Sequence, residues 1–522
     1  MNALNSATHH ALTLFTVAIV AVLTVSKPHR QAQEPKPPSE KTSKAVAALK
    51  KLYFYSVNND DGVWTVELEY VKDLNAAVPL VLDLERVDRL RLGKNATDAH
   101  LSALLPKLRG LRGLNMSFND NVTDAGLAHI KGLTELRELQ LVANEKVTKE
   151  GIANISGLTS LETLELSFTK LTNATKPLAG LTKLKQLDLA KCALTDVDAA
   201  HLAGLTALKK LELSFNDDLT DAGMLLLAKF TQLEELELEG TDLGNEGLKS
   251  VGHLNKLFRL NVDRTKISDD GLEHIGGLTR IKYLSLGGTG LKGPGLKHLA
   301  GLKELESINF QHLPEFTGEG LGHLAGCPKL NHLNLSWTGL TDEGLASIKK
   351  LQQLKSLDLP PYGWPTALGG PFWRDPHPER FSDKGLKHIG EMPNLEWVWM
   401  SGSGLTDEGV THLAGCKSLK TLIFCVTPNI KGPGLASLKA LPNLKTVVLR
   451  NSGVTDDGLK HLKELKQLDY ISLPKNVSAK AVEHVKEMKQ LQTIAYSKGF
   501  DPKAVAELKA ALPKAEIIET ID

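Results

Sequence analysis

The segment Leu330–Leu351, LNHLNLSWTGLTDEGLASIKKL, carries two hydrophobic periods one after the other. Leu330, Leu333 and Leu335, followed by Thr338 and Leu340, alternate with polar residues, which predicts a short, half-buried strand. At Thr341 the period changes. Thr341 is suited to cap a helix, Asp342 places a carboxylate in its first turn, and Leu345, Ile348 and Leu351 follow at helical spacing. Neither half can bury its apolar face alone. Copies must therefore stack, with strand and helix leucines sharing one continuous core.

The same pattern runs along most of the chain. Its central strand position is filled by Leu90, Leu114, Leu139, Leu164, Leu187, Leu211, Leu236, Leu260, Leu284, Ile308, Leu333 and Leu357. It continues with Val398, Leu422, Val447, Ile471 and Ile494, and a degenerate last copy is expected at Ile518. The step is 23 to 25 residues except from Leu357 to Val398, where it is 41. An insertion is thereby placed near 361–377, and the Pro and Gly content of PPYGWPTALGGPFWRDPHPER predicts a rim loop. Five residues beyond the central position most copies carry a small polar residue, as at Asn119, Asn144, Thr169, Cys192, Asn216 and Thr241. The chain leaves the strand there, and such a side chain is expected to hydrogen-bond the backbone of the turn. Leu313 and Tyr362 interrupt the series.

Outside the repeats, residues 1–26 hold an apolar run, Ala11–Val25, shorter than the roughly 20 residues of a spanning helix. It reads as a signal-peptide core or an anchor. Lys27 and Arg30 follow the run, and no A-x-A cleavage site is evident. In an uncleaved anchor that order of charge would favour cytoplasmic repeats. Export or tethering at the cell envelope is the expectation, with the cytoplasm as the alternative. Residues 27–44, rich in Pro and charge, predict an extended linker. Residues 45–85 predict an N-terminal cap, with a helix over Ala45–Leu52 and a hairpin from Tyr53–Val57 and Val63–Tyr70. Repeats fill 86–497, and 498–522 is the closing repeat.

At 522 residues the chain exceeds one ordinary core, but a stacked array grows by addition, so one elongated, monomeric body is expected. The formal net charge is +1, from 62 basic and 61 acidic residues, which provides no global attraction for nucleic acid or an acidic membrane. Membrane contact is expected only through the N-terminal segment. Four cysteines, Cys192, Cys327, Cys416 and Cys425, occupy repeat positions and form no CxxC pair, so they read as packing residues.

Motifs for catalysis are lacking: there is no HExxH, P-loop or GxSxG elbow. Gly288, Gly290 and Gly293 match GxGxxG, but in positions where sister copies read TGLTDEG, and no Rossmann unit surrounds them. Nine histidines, among them His274, His298 and His323, share one position near the helix C-terminus, where the dipole favours them without a metal. No enzyme activity, cofactor or metal is expected.

The L-x-x-L-x-L-x-x-[N/C/T]-x-L core followed by LTDxGL resembles the leucine-rich repeats of the ribonuclease-inhibitor-like class, closest to the cysteine-containing subtype of F-box substrate receptors and many bacterial proteins. The resemblance covers about residues 85–518. It implies an α/β fold: a right-handed horseshoe solenoid with parallel strands on the concave face and helices on the convex face. It also implies partner binding on the concave side. No segment before Leu90 resembles an F-box, so a substrate-receptor-like adaptor is an alternative resting on the repeats alone.

Alternate strand residues point away from the core and form the concave floor. Glu165, Asp188, Glu212 and Glu237 make one acidic row there, partly neutralised by Lys191, Lys210, Arg259 and Arg264. This row is either a solvated surface or a site for a cationic ligand such as a Lys/Arg-rich protein segment. Five of the six tryptophans lie between 337 and 399. Trp397 and Trp399 flank Val398 on one outward face, Trp337 is expected on the floor earlier in the array, and Trp364 and Trp373 belong to the insertion. With Tyr283 and His332 they form the candidate partner-binding set. The insertion reads equally as a structural cover, a contact or a lid. The functional expectation is a non-enzymatic scaffold for a protein partner. The alternative is a glycan-binding envelope protein, in which the tryptophans stack on sugar rings and Asp358 and His332 supply hydrogen bonds.

Overall fold

The structure is a computed structural model and describes residues 39–52, 57–58, 63–359, 381–402 and 404–520. The apolar N-terminal run, most of the linker and the insertion with Trp364, Trp373 and Tyr362 lie outside the described residues. Among the described residues one sheet of 20 strands forms the body, and all but the first pair are parallel. From Thr65–Leu68 to Glu516–Thr520 each strand pairs with the next copy in sequence order, so strands line the concave face and helices the convex one.

Each predicted central residue lies opposite its counterpart. Leu164 pairs with Leu187, Leu333 with Leu357 and, across the insertion, Leu357 with Val398. These side chains are 0–2 % exposed and join one core along the whole array. Two ends differ from expectation. Ile494 pairs with Ile517 rather than Ile518, which keeps the 23-residue step that separates Ile471 from Ile494. At the other end, Val66 pairs with Leu90, so Thr65–Leu68 and the helix Leu74–Leu82 already make a strand–helix unit. The short antiparallel strand Val57–Asn58 lies on its outer side. The first helix among the described residues is Glu40–Leu49, capped by the Ser39 hydroxyl, so it starts inside the stretch read as linker.

The convex helices are shorter than their periodicity suggests. Asp342–Leu345 is α-helical, Ile348–Lys350 is a 3₁₀ turn, and several other copies, such as Asp124–Leu127 with Ala128–Gly132, repeat this division. Inter-repeat bonds hold them. Thr148 donates to Asp124 of the preceding copy from its N–H (2.8 Å) and its hydroxyl (2.6 Å). Thr123 and Asp98, Thr220 and Asp196, and Thr406 and Asp383 repeat the arrangement. The glycine of the TDxG motif leaves room for that carboxylate: a Cβ on Gly126, Gly151, Gly223 or Gly409 would collide with the preceding copy's Asp Oδ1.

At the strand exit most of the small polar residues bond backbone, in two ways, whereas the buried Thr427 hydroxyl has no partner among the described residues. Asn119 and Asn216 reach back to the preceding copy's Gly93 and Leu189 carbonyls (both 2.9 Å). Thr241, Thr265, Thr289 and Thr338 instead donate to the carbonyl three residues earlier. One residue before them, ten successive copies adopt positive φ, from Phe118 (59°) through Phe168 (60°) and Phe215 (58°) to Trp337 (60°). The N–H of this left-handed residue donates to the next copy, as from Phe168 to the Ala190 carbonyl (2.9 Å).

Candidate functional site

The floor is built from two outward rows. The middle row runs Glu67, Arg91, Asn115, Gln140, Glu165 and Asp188, then Glu212, Glu237, Asn261, Ser285, Asn309, Asn334 and Asp358. Every one of these residues is polar. Beyond the insertion the same row becomes Trp399, Ile423 and Val448. Trp397, 40 % exposed, lies beside this strip in the second row.

Asp358 links the aromatic strip to the preceding strands. Its Oδ1 accepts from Trp397 Nε1 (3.3 Å), and its Oδ2 lies 3.8 Å from His332 Nε2. Burial pushes Asp358 above the usual carboxylate range and His332 below the usual imidazole range, each charge partly offsetting the other's shift. His332, Asp358, Trp397 and Trp399 thus form one patch. Five of the seven buried side-chain polar atoms without a hydrogen-bond partner among the described residues belong to residues on, or within two residues of the end of, the strands from His332 to Val448: Ser336 Oγ, Trp399 Nε1, Ser401 Oγ, Thr427 Oγ1 and Arg450 Nε. Such groups are costly to leave unmet.

Two expected members stand apart. Trp337 is not on the floor, because the strand ends at Asn334 and the chain turns, leaving Trp337 in the left-handed exit position with its ring stacked on His312 at 5.8 Å. Tyr283 is in the second row, but Ser307 separates it from His332, and Arg259 lies over its ring at 5.0 Å. Ile423 and Val448 are additions that counting tryptophans could not find. Their signal is an apolar residue between two core positions, where other copies are polar.

The acidic row is continuous across four neighbouring strands, Glu165, Asp188, Glu212 and Glu237. Flanking carboxylates are paired: Glu138 with Arg89 (2.6 Å), Glu235 with Lys210 (3.6 Å) and Glu239 with Arg264 (3.6 Å). The four row carboxylates have no ion pair among the described residues. Part of the row is structural, a role the sequence pattern did not disclose. Asp188 and Glu212 accept from the N–H two residues on, at Ala190 (3.0 Å) and Ser214 (2.8 Å), as Asn115, Asn261, Asn309 and Asn334 do in their copies. Burial, more than the neighbouring carboxylates, raises Glu212 to about 7, and it also raises Glu237.

Comparison with known proteins fits this geometry. A leucine-rich-repeat sequence model matches residues 180–203, 204–228, 231–252 and 326–349. These segments are leucine-rich repeats, and the strands before and after them continue the same solenoid. An internalin of Listeria monocytogenes is similar in fold at 20 % identity and TM-score 0.50, over 67 % of this chain and 94 % of that one. A leucine-rich-repeat protein of Leptospira interrogans aligns at 20 % identity and TM-score 0.45, over 93 % and 100 % of the two chains. Comparison with curated protein sequences gives no match.

The repeat grammar accounts for the GxGxxG match. Asp269 already fills that turn, accepting from the N–H groups of Lys292 (2.8 Å), Gly293 (3.0 Å) and Gly295 (2.7 Å), so the amides that would cradle a phosphate are engaged. Gly288 and Gly293 have φ of 63° and 129°. Asp407 repeats the arrangement with Lys431, Gly432 and Gly434. Cys192 substitutes for the exit asparagine, its thiol donating to the Leu166 carbonyl. Among the described residues no group of three or more His, Cys, Asp or Glu is placed to hold a metal, and no helix is long and apolar enough to cross a membrane.

Proposed function

We propose that this protein is a non-enzymatic leucine-rich-repeat scaffold that binds a protein partner on its concave face, anchored on Trp397, Trp399, Ile423 and Val448. The carrying observation is the change in the middle row, polar on every strand from Glu67 to Asp358 and apolar on the next three. Indole rings on a rigid sheet make strong interface anchors, and a preformed surface limits the ordering cost of binding. Solenoids present such extended concave surfaces by construction. The Ala11–Val25 run supports a place at the cell envelope, exported or tethered.

One observation favours a glycan as the second reading. The exposed Trp397 indole sits beside the Asp358 carboxylate and the His332 imidazole, a stacking face next to hydrogen-bonding groups. The test compares the full chain with the Trp397→Ala/Trp399→Ala variant, both checked for fold by circular dichroism, in capture from envelope extract. Species lost from the variant, and lost when the extract is protease-treated, support the protein reading. Binding that survives protease but not glycan removal selects the second reading. Equal capture by both chains removes this patch as the site.

A further inference from the structure

Phe118, Phe168 and Phe215 occupy the exit position on alternate strands and are 62, 52 and 42 % exposed. Their left-handed backbone costs a residue with a side chain roughly 1–2 kcal/mol, a cost that Gly240 and Gly288 avoid at the same position. The turn does not need a ring: Ala143, Lys191 and Arg264 hold the same conformation. Three aromatic residues are therefore displayed to solvent at positions where the fold accepts smaller ones.

Phe168 and Phe215 line the edge of the floor that carries the acidic row, and Phe118 continues this edge two strands earlier, beside Asn115. Phe168 and Phe215 each follow a row carboxylate, Glu165 or Glu212, by three residues. Along the solenoid the carboxylates recur about every 4.8 Å and the rings about every 10 Å, so the two rows run parallel. The four row carboxylates have no ion pair among the described residues, and the rim beside them alternates phenylalanine with other residues, as Phe168, Lys191, Phe215 and Gly240. Lys191 already places its ammonium 5.4 Å from the centre of the Phe168 ring, so this rim also accepts cations.

We infer that this angle between floor and rim holds an extended polypeptide segment in which cationic and apolar residues alternate. An extended chain sends successive side chains to opposite sides, so one set meets the Glu165-to-Glu237 row and the other meets Phe168 and Phe215, with Phe118 prolonging the apolar edge beyond the row. About six residues span the distance from Phe118 to Phe215. The inference shares with the proposed function only the use of the concave face, and it rests on a different part of that face.

The probe is a fluorescent peptide of five Lys-Val repeats, with five Lys-Ser repeats and five Glu-Val repeats as controls, titrated into the full chain by anisotropy at 0.15 M salt. The expected result is binding of Lys-Val at least tenfold tighter than either control. The Phe118→Asn/Phe168→Asn/Phe215→Asn variant should lose at least tenfold toward Lys-Val with an unchanged or higher urea midpoint, since asparagine tolerates the left-handed region. Glu212→Gln/Glu237→Gln should weaken binding and flatten its salt dependence. The Trp397→Ala/Trp399→Ala variant should bind the peptide as the parent does, which separates this site from the aromatic strip. Equal affinity for Lys-Val and Lys-Ser, or full binding by the asparagine variant, would overturn the inference.

Discussion

Gly151→Ala sets helix propensity against inter-repeat packing. Gly151 lies in the helix Lys149–Ile152 without a positive φ, so propensity alone predicts that alanine stabilises by about 0.5–1 kcal/mol. Its neighbours predict the reverse. A Cβ there would collide with Asp124 Oδ1 and lie 3.1 Å from Asp124 Cγ and 3.2 Å from Leu127 Cδ1. Asp124 cannot swing away freely, because it accepts two hydrogen bonds from Thr148 at 2.8 and 2.6 Å. Displacing those bonds, or forcing the turn apart, costs about 1–3 kcal/mol, so the net loss should be about 1–2 kcal/mol. The assay is urea unfolding followed by circular dichroism, on the transition that reports this end of the array. In an Asp124→Ala background the obstacle is gone and Gly151→Ala should be neutral or stabilising, with a coupling of about 1–2 kcal/mol. A stabilising Gly151→Ala in the parent, or two effects that add within about 0.5 kcal/mol, would refute the reasoning.

Other substitutions probe other parts of the account. Leu333→Ala, at a fully buried position, should cost about 2–5 kcal/mol; a loss under about 0.5 kcal/mol in urea would refute the register there. Burial raises Glu212 from 4.5 to about 7, so the folded state holds the proton longer than the unfolded state does. The stability this contributes is complete below about pH 4.5 and is lost as pH rises to 7, with roughly 3 kcal/mol as an upper figure. Glu212→Gln keeps an acceptor for the Ser214 N–H and should raise the urea midpoint at pH 8 more than at pH 5; a lowered midpoint at pH 8 would contradict this. Asp269→Ala strips three N–H groups of their acceptor and should destabilise by about 2–4 kcal/mol, whereas a loss within about 0.5 kcal/mol would show that water replaces it.

What could be read before the fold was known follows from what repeats. The leucines at Leu164 or Leu333 declare themselves because each copy restates the same period, and their pairing needs no geometry beyond counting. The exit asparagines and threonines were legible for the same reason. Contacts between copies were not. Asp124 reads as a first-turn carboxylate suited to the helix dipole, and only the stacking reveals that Thr148 of the next copy is its partner. Positive φ at Phe118, Phe168 and Phe215 runs against side-chain preference, so no propensity rule could announce it. Trp337 was misplaced by extending strand alternation past the point where the chain turns. The candidate patch was half visible: Trp397, Trp399, Asp358 and His332 come together as their spacing suggests, whereas Ile423 and Val448 emerge only when the row is followed strand by strand.

Hydroxyl-radical footprinting of the full chain, alone and with its captured protein partner, tests the concave-face reading most directly. Trp397 is 40 % exposed and should oxidise readily in the free chain, whereas Val197 and Leu225, 61 and 67 % exposed on the helical side, serve as internal references. The account predicts that the partner protects Trp397 and leaves Val197 and Leu225 labelled as before. Unchanged oxidation of Trp397, with protection confined to the helical side, would contradict it.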